Sequence, residues 1–139
     1  MRSAHEDRDF RVEVTDGLPV VQVDGELIEL AIRQLLNNAV KYSNRDSPIS
    51  VCARRCKTSV VISVIDQGPG IPEEDQARIF ERFFRGQRAH RGTVGTGMGL
   101  AIAREIVRAH GGDISFQSSP SQGTEFSISV PITAVERGP

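Results

Sequence analysis

The chain has no tryptophan, a single tyrosine and only two cysteines in 139 residues. The cysteines, Cys52 and Cys56, fall in one probable strand, where four residues of extended chain separate them by roughly 13 Å, beyond disulfide reach. With no further ligands nearby they do not form a zinc site, so they read as structural thiols of a reducing compartment. No apolar run is long enough for a membrane-spanning helix, and Met1-Arg2-Ser3-Ala4 does not open a signal peptide. The expectation is a soluble domain, either whole or cut from a larger and even membrane-bound protein. Charge of one sign is also missing: a net charge of -1 excludes a global attraction to nucleic acid or anionic membrane.

What is present suits one globular domain, with 38% hydrophobic and 25% charged residues. A chain of this size buries about two-thirds of its unfolded surface. Residues 1–8 are polar and include His5, and they read as a tail or linker. Alternation over Phe10–Val14 predicts a strand, Asp16-Gly17 a turn, and Leu18–Val23 a second short strand. Asp24 is placed to cap a helix reaching about Tyr42, with Leu27, Leu30, Ala31, Leu35 and Ala39 on its apolar face. Ile49–Arg54 and Ser59–Ile65 form a hairpin about Lys57-Thr58. Pro72-Glu73-Glu74-Asp75 starts a short helix that ends in Ile79–Arg85. A third helix runs from Met98 to His110, where Gly111-Gly112 stops it and His110 matches the dipole of its last turn. Asp113–Gln117 and Thr124–Val130 close the fold as a hairpin, with Ser118–Gly123 as its loop. Residues 133–139 are tail.

Two glycine clusters organise these elements. The first, Asp66-Gln67-Gly68-Pro69-Gly70-Ile71, follows the most apolar strand, where bare backbone allows a ligand to approach. Asp66 there either accepts from an amino group in a cleft or caps its own backbone. The second, Gly95-Thr96-Gly97-Met98-Gly99-Leu100, opens the third helix, whose N-terminal amides favour anions. Neither is a P-loop, and the second lacks the Rossmann spacing. Gln34, Asn38, Lys41 and Tyr42 share one side of the first helix, as a pocket lining or as a solvent face. Arg82, Arg85, Arg88, His90 and Arg91 precede the second cluster, either as a solvated loop or as a flexible lid carrying cations to phosphate. Together these features suggest a nucleotide cleft.

Asn38-Ala39-Val40-Lys41-Tyr42-Ser43, the first glycine cluster, Ile79-Phe80-Glu81-Arg82-Phe83-Phe84-Arg85 and Gly95–Ile102 resemble, in order, the N, first glycine, F and second glycine boxes of bacterial sensor histidine kinases. Gly123-Thr124-Glu125-Phe126 resembles the last and weaker box. The resemblance covers roughly residues 9–132. It implies the ATP-binding catalytic domain of the GHKL superfamily: an α/β two-layer sandwich of the Bergerat type, with about five strands in a mixed sheet, three helices on one face and a flexible ATP lid.

By that resemblance Asp66 accepts from the adenine amino group, Asn38 holds Mg²⁺ through its amide oxygen, Lys41 meets a phosphate and Tyr42 lies beside the base. Arg85 falls where the family places a cation near the γ-phosphate. Gly68, Gly70, Ile71, Gly95, Gly97, Met98, Gly99, Leu100 and Thr124 complete the nucleotide site. Superfamily ATPases and the serine kinases that bind sigma factors carry Glu four residues before the metal-binding Asn. Here Gln34, an amide, cannot serve as that base, and the commonest histidine-kinase residue there is Asn.

The resemblance further implies transfer of the γ-phosphoryl group to a histidine on a separate dimerisation domain, to which residues 1–8 would link. His5-Glu6-Asp7-Arg8 does not reproduce the phosphoacceptor motif. A response regulator would be reached through the full-length kinase, in the cytoplasm or in the cytoplasmic part of a membrane-bound sensor. The isolated chain is expected to be monomeric, with weak turnover and no nucleic-acid partner. The alternative is a nucleotide-gated interaction module, or an ATPase or serine kinase, without histidine kinase activity.

Overall fold

The computed structural model describes residues 9–43, 46–81, 99–119 and 122–132. Among them are strands β1 (Phe10–Val14), β2 (Ile49–Cys56), β3 (Ser59–Asp66), β4 (Asp113–Ser119) and β5 (Gly123–Pro131), and helices α1 (Gly25–Tyr42), α2 (Glu73–Gln76) and α3 (Gly99–Ala109). The sheet has five strands in the order β1-β2-β3-β5-β4. β1 runs parallel to β2 and every other pair is antiparallel, which makes the mixed sheet of about five strands expected.

The α1 N-terminus is fixed by Asp24, whose Oδ1 accepts from the amides of Glu26 and Leu27 at 3.1 and 3.2 Å. This satisfies donors that the first turn leaves unpaired. The buried stripe is Ile28, Ala31, Leu35 and Ala39, whereas Leu27 is 41% exposed. The apolar face is therefore entered one residue later than its first leucine suggests. In register, Val64, Phe126 and Phe116 lie side by side, as do Ile62, Ile128 and Ile114. Val64, Phe126, Ile128 and Ile114, with Phe116 packed against them, share one core with Leu35 of α1 and Ala103 and Val107 of α3. Phe80, Phe116 and Phe126 form a ring cluster with centroids 5.9–6.4 Å apart, and the Arg104 guanidinium carbon sits 4.9 Å over Phe80.

Three local expectations change. Leu18–Val23 is not a strand. Val21 and Val23 do pack against the core, so alternate burial is met by an extended segment with no ladder, and Pro19 has no N–H to give one. The second helix stops at Gln76 and continues as turns to Phe80, with Gln76 Nε2 donating back to the Ile71 carbonyl at 3.1 Å. His110 does more than cap its own helix. Asp24 N–H donates to His110 Nε2 at 3.0 Å, and His110 Nδ1 lies 2.8 Å from the Ile106 carbonyl. A carbonyl can only accept, so the proton sits on Nδ1 and the ring ties the end of α3 to the start of α1.

Beside that end, Arg108 Nε donates to Asp113 Oδ1 at 3.0 Å. This hydrogen bond, aided by the Ile114 amide and only partly opposed by desolvation, holds the Asp113 carboxyl below its ordinary value of 3.8. A carboxyl depressed by folding adds stability above its unfolded value and loses it as pH falls through the lowered folded one. Arg108→Ala should return the Asp113 titration toward 3.8 in an NMR pH series. Because the pair is exposed, global stability should change little.

Candidate nucleotide site

The site is built where β3 ends against α1. Val60, Ile62 and Val64 point toward the helices, and the period of two carries Asp66 to the same face. Asp66 is only 3% exposed, and its Oδ1 accepts from Gly68 N–H at 2.9 Å. The carboxylate thus does cap its own turn, one of the two roles open from sequence. Burial under the helices, not on solvent, keeps the other role available.

The glycines beyond it are needed for close packing. A Cβ on Gly68 would lie 2.4 Å from the Tyr42 carbonyl oxygen. At Gly70 φ is +84°, and a Cβ there would fall 2.4 Å from the Ser119 carbonyl oxygen. The turn is therefore wedged between the end of α1 and the end of β4. Ile71 is 1% exposed and packs in the core.

Helix α1 forms the adjoining wall. A Cβ on Gly99, the first residue of α3, would lie 2.7 Å from Gln34 Oε1, while Tyr42 abuts Gly68. The stripe Gln34, Asn38, Lys41 and Tyr42 therefore runs about 12 Å along the helix, from α3 to the first glycine turn. This arrangement favours a cleft wall over a plain solvent face, although Lys41 is exposed. Asn38 Nδ2 is buried with no hydrogen-bond partner among the described residues. An amide with an unpaired end can turn over to offer its oxygen there. That fits a Mg²⁺ ion completed by phosphate and water oxygens. Leu100 packs half-buried against the core. Arg85, Gly95, Gly97 and Met98, with the rest of the basic stretch and Phe83-Phe84, lie outside the described residues.

Ser118 was not among the sequence candidates. β4 extends two residues beyond the expected strand, so Ser118 pairs with Thr124 and Thr124 pairs with Asp66. The three form one rung across the sheet end. Ser118 Oγ accepts from Ile71 N–H at 2.7 Å and lies 3.0 Å from Thr124 Oγ1. The only local signal was a hydroxyl residue in a run of polar ones.

A buried carboxylate, a glycine turn and a polar helix stripe meeting on one side of an α/β sandwich define a ligand-binding domain. The sequence pattern of the histidine kinase-, DNA gyrase B-, and HSP90-like ATPases matches residues 23–134. SenX3, a sensor-like histidine kinase of Mycobacterium tuberculosis strain H37Rv, is 40% identical over 126 residues, covering 90% of this chain and 30% of SenX3. The mycobacterial sensor histidine kinase MprB superposes with a TM-score of 0.83 at 32% identity, covering 94% of this chain and 87% of that structure. Full-length ShkA in complex with AMPPNP superposes at 0.79 and 28% identity, covering 94% of this chain and 27% of that one. The chain belongs to the histidine kinase-, DNA gyrase B-, and HSP90-like ATPase family, and within it corresponds to the ATP-binding catalytic domain of sensor histidine kinases. It spans about 30% of the length of the curated relatives it matches. Among the described residues no helix is long and apolar enough to cross a membrane.

Proposed function

We propose that this domain binds Mg-ATP in the cleft between α1, the Gly68–Gly70 turn and α3, and passes the γ-phosphoryl group to a histidine on a separate dimerisation domain of the same kinase. The observation that carries the reading is the Asp66 carboxylate, buried at the end of β3 beside Thr124. It is placed to take a hydrogen bond from an amino group that enters beneath the helices. The AMPPNP held by ShkA supports an adenine nucleotide as the ligand.

Bound Mg-ATP supplies the phosphoryl group, whose bond to the ADP oxygen breaks as one to the histidine nitrogen forms. The protein's part is positioning and charge neutralisation. Asp66 fixes the base. Asn38 offers its amide oxygen to the metal, and Lys41 meets a phosphate from its exposed position. Tyr42 lies beside the base, above the turn it helps to close. Arg85, Gly95, Gly97, Gly99 and Met98 are assigned to the phosphate end from the resemblance. Gln34 is an amide and cannot serve as a general base toward the acceptor histidine. Its amide, set against Gly99, instead braces the first turn of α3.

The free thiols Cys52 and Cys56 and the use of ATP suit a cytoplasmic domain. The response regulator is reached only through the full-length protein, and the isolated domain is a monomer. Incubating the chain with labelled Mg-ATP and a separately produced histidine-bearing dimerisation domain should label that domain in trans. Nucleotide binding without any transfer, even to the cognate domain, would replace this reading with that of a nucleotide-gated module.

A further inference from the structure

We infer that the β1 edge of the sheet is a weak self-association site, at which a second copy of this chain adds its own β1 antiparallel about Val12. β1 ends the strand order on one side, and among the described residues no strand but β2 pairs with it. The Asp9 carbonyl accepts from Ile49 N–H at 2.9 Å, and Thr15 N–H donates to the Ala53 carbonyl at 3.0 Å. The N–H and C=O of one strand residue point to the same side, and that side alternates along the chain. Arg11 and Glu13 therefore share the β2 side with Asp9 and Thr15. The main-chain groups of Val12 and Val14 point away from the sheet.

Phe10 packs on the core, and the period of two places Val12 and Val14 on that same helix-side face, where they are 68% and 58% exposed. The space above them is open to a partner. Arg11 and Glu13 stand on the opposite face. Edge strands are commonly kept from their like by charge, but this one carries one charge of each sign, with Val12 between them. When two copies run antiparallel about Val12, Arg11 faces Glu13 of the second copy and Glu13 faces its Arg11. Val12 meets Val12, and Phe10 lies opposite Val14. A parallel, in-register pairing would set Arg11 on Arg11 and is repelled. In the antiparallel register the two valines exchange both main-chain hydrogen bonds, and the charge pairs fall at the non-bonded positions, where side chains come closest. Main-chain direction and charge thus share one centre. Asp9 accepts from Arg11 Nε and Nη2 at 3.3 and 3.2 Å, which leaves three of the five guanidinium hydrogens that Asp9 does not engage. The other edge has no such complement. β4 holds one charged residue, Asp113, bonded to Arg108, so no register of β4 with itself pairs opposite charges.

One short strand pair lies well below the size of a stable interface, so its dissociation constant is on the order of 1 mM. The chain by itself therefore stays monomeric at micromolar concentration. Tethering changes this, because two copies held by short linkers in one dimer meet at millimolar effective concentration, enough to pair about half the time. In a dimeric kinase, as proposed above, the pair would join two five-stranded sheets into one continuous sheet. β1 contains none of the residues assigned to the nucleotide, so both clefts stay open.

The test is self-association of the full chain, followed by sedimentation equilibrium and amide NMR shifts from about 20 μM to about 2 mM. The parent should be monomeric at the low end and substantially dimeric at the high end, with the Val12 and Val14 amides shifting most and those of β4 unmoved. Arg11→Glu and Glu13→Arg should each weaken the dimer about 10-fold, because like charges then face each other twice. An equimolar mixture of the two variants should recover the association, and so should the double variant R11E/E13R. That rescue shows both variants to be folded and the partner of β1 to be β1. ATP affinity should be the same in all of them, so the outcome here is read separately from that of the ATP reading. No association at about 2 mM, shifts centred on β4, or a loss in the charge variants that mixing does not rescue would overturn the inference. So would β1 amides that stay still on self-titration and move when a dimerisation domain is added, which gives the edge to that domain.

Discussion

Asp66→Asn is expected to weaken ATP binding about 10- to 150-fold while leaving the fold intact. Asparagine keeps an oxygen for Gly68 N–H, the bond that closes the turn at 2.9 Å, so the loop has no reason to open. What changes is the atom facing the base: a carboxylate oxygen becomes an NH₂, and two donors then confront each other in a buried site. Loss of a hydrogen bond to a charged group is worth about 1.5–3 kcal/mol, which gives the stated range. Asp66→Ala should show the same loss of affinity and, in addition, a lower melting temperature, because the Gly68 amide loses its acceptor. The comparison separates binding from folding. Calorimetric titration that finds Asp66→Asn as tight as the parent would remove Asp66 from the base-binding role.

The features that follow from local chain chemistry were legible in the sequence. Asp24 caps α1 because an N-cap needs only its next three residues, and the β2–β3 hairpin follows from two alternating runs about Lys57-Thr58. The glycine turn after β3 was legible for the same reason. Its glycines stand next to the carboxylate in the chain, and the structure adds only which neighbours, Tyr42 and Ser119, demand them. Features set by distant pairing were not legible. Ser118 meets Ile71 across 47 positions, and its place opposite Thr124 depends on β4 running two residues past its apolar alternation. His110 meets Asp24 across 86 positions, so a ring readable only as a cap of its own helix turned out to join two. Leu18–Val23 shows the converse: alternation reports which side chains are buried, not whether the backbone finds a ladder. The stripe on α1 lies between these cases. Its four residues were placed on one side by period alone, but only the contacts of Gln34 with Gly99 and of Tyr42 with Gly68 give that side a floor and an end.

Asn38→Ala is expected to abolish phosphoryl transfer in trans, by on the order of 100-fold or more, with thermal stability unchanged or slightly raised. The two halves of this expectation have one cause. A buried amide NH₂ without a partner among the described residues costs about 1–3 kcal/mol of desolvation that no contact among those residues returns. Removing it relieves that cost and offsets the packing lost with the side chain. A residue that burdens the fold in this way is retained for what it does when ligand is present. If its oxygen turns to a Mg²⁺ ion on the phosphates, its loss removes a preorganised contact to the group that carries the developing charge, an effect commonly of order 10²–10³ in rate. The base contact through Asp66 stays in place, so nucleotide binding measured without Mg²⁺ should stay within about twofold of the parent, and only the gain on adding Mg²⁺ should vanish. Asn38→Asp supplies a hard oxygen at the same position and should recover part of the Mg²⁺-dependent gain. A clear drop in melting temperature for Asn38→Ala, together with unchanged transfer, would make Asn38 a structural residue and move the metal site elsewhere.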